Sequence, residues 1–169
     1  MKEIIKEMLF DDIELLEKLA ANGDEDAAFC LGYRRYMNGD FDEAQELLLP
    51  FANEGEAEAQ YYVGCCLVED GREDEAYRYF LLSGMKGNAD SAYMLVNYYH
   101  FGGDGVEKDD EEALRWLKAA ADGGVSYACS ELADLTDTFR WDDGEEFEGE
   151  IPTDIISGYY RELAKRREN

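Results

Sequence analysis

Few residues in this chain have the type and spacing to do covalent or metal chemistry. His100 is the only histidine. It can build no histidine-based metal cluster, and no serine or cysteine motif stands beside it to make a nucleophile–base pair. The four cysteines, Cys30, Cys65, Cys66 and Cys129, lack metal-ligand spacing. No basic residue adjoins Cys65 or Cys66 to lower a thiol pKa, so both read as small apolar fillers. The segment Trp141–Glu150 holds six carboxylates among ten residues but lacks the ligand spacing of an EF-hand loop. It reads as a solvated loop, with a basic-partner contact and a cation site as the other readings. No glycine-rich phosphate loop follows a strand, and no strand pattern is found. Paired acids are expected by chance at this density, so no enzyme signature rises above the background, and no cofactor or metal is expected.

Non-covalent chemistry is better represented. The carboxylates Asp26, Glu58 and Asp90 recur every 32 residues, as do the aromatic residues Phe29, Tyr61 and Tyr93. Rings beside acids suit a cationic ligand, through cation–π attraction and charge. The plain alternative is that the rings pack between neighbouring helices. Charge points the same way as the rings. Sixteen lysines and arginines stand against 41 aspartates and glutamates, a net −25. Such a field repels nucleic-acid phosphates and anionic lipid and attracts basic proteins. It also suits a merely well-solvated surface.

The elements that must position these residues follow from an internal repeat. With a shift of 32, Gly23 falls on Gly55 and Gly87, Leu31 on Val63 and Leu95, Gly32 on Gly64, and Gly39 on Gly71 and Gly103. After Gly103 five extra residues change the register to 37. Ala76 then matches Ala113, Tyr79 matches Trp116, and Gly87 matches Gly124. A fixed period of this size marks stacked supersecondary units. Apolar residues three and four apart predict two helices per unit. First helices are predicted over 26–38, 57–69, 90–101 and 126–136, and second helices over 42–53, 73–85 and 108–122. Gly32 and Gly64 fall inside helices, where glycine costs about 1 kcal/mol, so close helix contact is expected there. Residues 12–21 and a helix over 154–167 capped by Thr153 read as end caps, which a solenoid needs to cover its outer apolar faces.

Three stretches carry a family likeness. Leu31-Gly32 followed by Gly39-Asp40-Phe41-Asp42-Glu43-Ala44 resembles the tetratricopeptide consensus. Tyr99, Gly102, Gly105-Val106, Asp109 and Ala113, then Trp116, Ala120-Ala121 and Gly124, resemble the Sel-one-like repeat. The likeness covers roughly residues 12–136. It implies an all-α fold: a right-handed α-α superhelix of about four helix-turn-helix repeats with terminal caps. The expected layout is one domain, with caps over 1–22, repeats over 23–55, 56–87 and 88–124, and a divergent last repeat over 125–169. That last repeat contains the acidic loop 137–152 and the C-terminal helix. Secreted relatives staple a repeat's helices with a disulfide; here no second helix carries a cysteine.

The resemblance also implies where a ligand sits, because first helices line the concave wall. Carried over by repeat position, the wall is Asp26, Phe29, Tyr33 and Tyr36, then Glu58, Tyr61, Cys65 and Val68, then Asp90, Tyr93, Asn97 and His100. Tyr127 and Ser130 belong to an incomplete fourth copy. The expected function is a scaffold or adaptor that binds a protein or peptide, basic in character, in an acidic–aromatic groove. An inhibitor or immunity protein blocking a basic enzyme or toxin, through the acidic residues 142–150 or the convex face, is the alternative. A hydrolase in an atypical helical fold is the third reading. No apolar run approaches the ~20 residues of a membrane span, and the N-terminus shows no secretion signal. A cytoplasmic monomer with reduced thiols, binding neither nucleic acid nor membrane, is therefore expected.

Overall fold

A computed structural model describes residues 12–103 and 105–137. Eight helices fill them: α1 Ile13–Ala21, α2 Glu25–Asn38, α3 Phe41–Glu54, α4 Ala57–Glu69, α5 Glu73–Gly84, α6 Ala89–Phe101, α7 Asp110–Asp122 and α8 Ser126–Asp137. Among the described residues there is no strand, only one isolated bridge between Gly103 and Val106. The all-α repeat class expected from the sequence is the class observed, and each helix starts and stops within two residues of its predicted bounds. No described helix is long and apolar enough to cross a membrane. The sequence-predicted helix over 154–167 and the acidic loop lie outside the described residues.

Local chemistry explains the boundaries. Asp12, Asp24, Asn88 and Asp109 each accept a backbone N–H from the first turn of the helix that follows, at 2.8–3.0 Å. These caps satisfy donors that the helix itself leaves without partners. At the other ends, Gly39 and Gly55 take the left-handed conformation, with φ of 84° and 93°. The next residue then bonds back across the last turn, Asp40 N–H to Arg35 O at 2.9 Å and Glu56 N–H to Phe51 O at 3.0 Å. A side chain at either glycine would strain this closure.

The chain divides into two compact units, one ending at Lys86 and the other beginning at Gly87. In the first, consecutive helices from α1 to α5 pack on one another, and α2 also meets α4. Its core holds Leu16, Ala27, Leu31, Ala44, Leu48, Ala59, Val63, Leu67, Ala76 and Phe80, all buried. In the second, α7 lies between α6 and α8. Val96, Ala113, Leu117, Ala120, Ala128 and Leu135 form its core.

The helical glycines mark where paired helices touch. A Cβ on Gly32 would stand 2.7 Å from Leu48 Cγ, and one on Gly64 would stand 2.7 Å from Phe80 Cε1. Real carbon atoms do not approach so closely, so each glycine admits the side chain of the paired helix. The contact that the sequence led us to expect at these positions is therefore present.

Candidate interaction surface

The first unit brings together the α2 and α4 residues that carry the predicted chemistry. Its centre is Tyr62, which repeat alignment did not single out. The Tyr62 ring meets Tyr33 at 4.9 Å, Tyr36 at 5.1 Å and Tyr61 at 5.1 Å between centroids, all tilted at 50–62°. These are favourable tilted contacts between aromatic quadrupoles. Tyr36 also leans on Phe41 at 5.8 Å. All four tyrosines are half-buried, so part of each remains open to water. Asp26 and Glu58, in the first turns of α2 and α4, are exposed.

The three rings of the predicted aromatic row each have their own neighbours. Phe29 packs edge-on against Phe51 of α3 at 5.6 Å. Tyr61 also touches Phe80 at 6.1 Å. Tyr93, in the second unit, donates its hydroxyl to Glu131 of α8 at 2.9 Å. Each of the three is half-buried, so packing takes one part of the ring and solvent the other.

Two of the predicted wall residues are buried. Cys65 is 9% exposed and hydrogen-bonds the Tyr36 hydroxyl. His100 is 6% exposed, and its Nδ1 lies 2.9 Å from Oδ1 of the equally buried Asp110. Lys108 Nζ stands 3.5 Å from the other Asp110 oxygen. The sequence reading placed His100 on the wall; the structure turns it inward, into a polar pair that ties the end of α6 to the start of α7. Its wall neighbours Asp90 and Asn97 are exposed. Tyr127 is 75% exposed, and Ser130 is exposed and bonds Ser126 O at 3.1 Å within α8.

Burial sets the chemistry of the thiols and of Tyr36. Cys30, Cys65 and Cys66 are buried and Cys129 is exposed, and none of the four is in a disulfide. Burial, and then the neighbouring Cys65, push the Cys66 thiol from 9.0 up to about 12. Burial, and then Cys65, also hold the Tyr36 phenol above its usual range. A folded-state pKa above the unfolded one stabilises the fold while the group keeps its proton in both states, below about pH 9. That contribution is lost as pH rises from 9 toward 12, because the unfolded chain ionises first. Urea unfolding followed by circular dichroism should therefore lose about 2 kcal/mol by pH 10.5 from Cys66 alone. A Cys66→Ala variant should show a visibly flatter decline over the same range, and an equally steep one would refute the assignment.

No group of three or more His, Cys, Asp or Glu side chains among the described residues could hold a metal ion. The surface offers aromatic faces, exposed carboxylates and helix ends, which is a means of holding a partner.

Helices of 12–14 residues joined in pairs by left-handed glycine turns, with small residues at the pair contacts, define a helical-hairpin repeat protein. The family described as Sel1 repeat matches residues 57–88 and 89–125. A solved Sel1 repeat protein from Oxalobacter formigenes is 34% identical, with a TM-score of 0.57, over 73% of this chain and 98% of that one. The chain belongs to the Sel1 repeat family. It also has the fold of a protective antigen of uropathogenic Escherichia coli displaying an SLR fold, at a TM-score of 0.63 and 24% identity. That likeness covers 91% of this chain, which spans about a third (33%) of the antigen's length. No curated protein matches the chain. Sel1 repeat proteins mediate protein–protein interaction, and the family is one of interaction scaffolds.

Proposed function

We propose that this protein is an adaptor that binds a basic protein or peptide through the α2–α4 face of its first unit. The observation that supports this reading is the half-buried tyrosine cluster around Tyr62, on two helices whose first turns carry the exposed acids Asp26 and Glu58. Tyrosine faces attract lysine and arginine by roughly 0.5–2 kcal/mol per good contact. The carboxylates steer approach and orient the partner. In a chain of net charge −25, long-range attraction acts on any basic ligand and is screened over about 10 Å at 0.1 M salt.

The test is affinity capture at low salt with the intact protein, followed by binding measurements on whatever basic protein is retained. Tyr62→Leu keeps apolar bulk and removes the ring face; it should weaken binding about ten-fold while the melting temperature shifts little. Binding should also decline steadily as salt rises. Retention of only neutral or acidic proteins, or full affinity in Tyr62→Leu, would refute the reading.

A further inference from the structure

The acids on α4 carry the reading one step further. The helix contains no lysine or arginine, and its two carboxylates, Glu58 and Glu69, stand near its opposite ends. Eleven residues separate them, which at 100° per residue returns to the same face and at 1.5 Å per residue spans about 16 Å. Both are exposed. Neither has an ion-pair partner among the described residues, which they share with many acids of this chain. Tyr61, Tyr62 and Cys65 occupy the intermediate turns of that face, and Tyr36 of α2 lies across its middle, bonded to Cys65 and ringed to Tyr62. The first helices α2 and α6 lack this arrangement. The residue matching Glu69 is Met37 in α2 and Phe101 in α6.

We propose that the tyrosine cluster between Glu58 and Glu69 seats an extended protein segment carrying two basic side chains, one for each acid. This rests on the adaptor reading above and adds the register of the ligand. In an extended chain every second side chain leaves the same side, at about 3.3 Å per residue. Basic residues four or six positions apart therefore span about 13–20 Å and reach both acids with the tyrosines beneath the segment. Basic residues two apart span about 7 Å and reach both only by splaying their arms. The occupant is thus a strand-like basic segment of another protein, and the selected feature is the interval between its charges rather than their number.

The probes are fluorescein-labelled Gly-Ser-Ala peptides of one composition, each with two arginines, placed two, four or six residues apart. Binding to the full chain is read by anisotropy at low salt. The four- or six-residue interval should bind at least five-fold tighter than the two-residue interval. Glu69→Gln, at an exposed helix end, should remove that preference while its helical circular dichroism and melting temperature stay at wild-type values. Equal affinity at all intervals, or an undiminished preference in Glu69→Gln, overturns the two-ended seat. If Tyr62→Leu still weakens those peptides, the adaptor reading survives that result. If no basic peptide binds at low salt, both fall.

Discussion

Gly64→Val should cost the fold about 3 kcal/mol, the upper end for forcing extra carbons into a packed interior. A Cβ at this position already meets Phe80 at 2.7, 2.9 and 3.0 Å from three ring atoms. Phe80 is fully buried and has nowhere to retreat, so the helix must move. Gly64→Ala tests the balance more finely. Alanine gains about 1 kcal/mol of helix propensity, and the clash should outweigh it. The third repeat suggests the cure. There the position of Gly64 is taken by Val96 and that of Phe80 by Leu117, both in one buried core cluster. A smaller residue on the second helix accompanies a larger one on the first. Adding Phe80→Leu to Gly64→Val should therefore recover at least about 1 kcal/mol relative to the sum of the single variants, a coupling typical of residues in contact. Urea unfolding of the four proteins measures it, and strict additivity would refute the contact account.

Asp110→Ala should destabilise the second unit by about 2–3 kcal/mol. Removing one partner of a buried polar pair leaves the other to bear its desolvation with fewer compensating bonds. Asp110 and His100 are both more than nine-tenths buried, and Lys108 adds a nearby positive charge. Asp110→Asn can keep one hydrogen bond to the ring and should cost about half as much. The damage should be local. Backbone hydrogen exchange at Asp109, whose N–H bonds Tyr99 O at 2.7 Å, should accelerate in Asp110→Ala far more than exchange in α3. Uniform acceleration along the chain would argue against a local tie.

These two sites also show what a linear reading reaches. The tightness at Gly64 was legible because a glycine inside a helical pattern is costly and needs a reason, and repetition at Gly32 supplied one. Helix ends were legible from the apolar spacing and the recurring glycines, while the caps Asp24, Asn88 and Asp109 emerge only in the structure. His100 was not. Its partner lies across the lengthened third loop, where the repeat register breaks, and pairing across a loop leaves no periodic trace. Tyr62 was missed because repeat alignment matches it with Cys30 and Met94. No aromatic row appears at that position, although the tyrosine brings two helices' rings together. Cys65 occupies a repeat position on the expected wall, and the Tyr36 side chain that bonds it belongs to another helix, a contact no alignment displays. Recurring positions thus leave a trace in the sequence, and contacts made in one repeat alone leave none.

The reach of Lys86 back to the Gly55 carbonyl bears on any attempt to dissect the molecule. Helix α5 ends at Gly84, and a cut placed there by secondary structure would discard a cation resting at the negative end of α3. A fragment trimmed at Gly84 would inherit every helix of the first unit and still lack one of its fastenings. The natural seam is set by the last side chain that reaches back, two residues beyond the last helical turn.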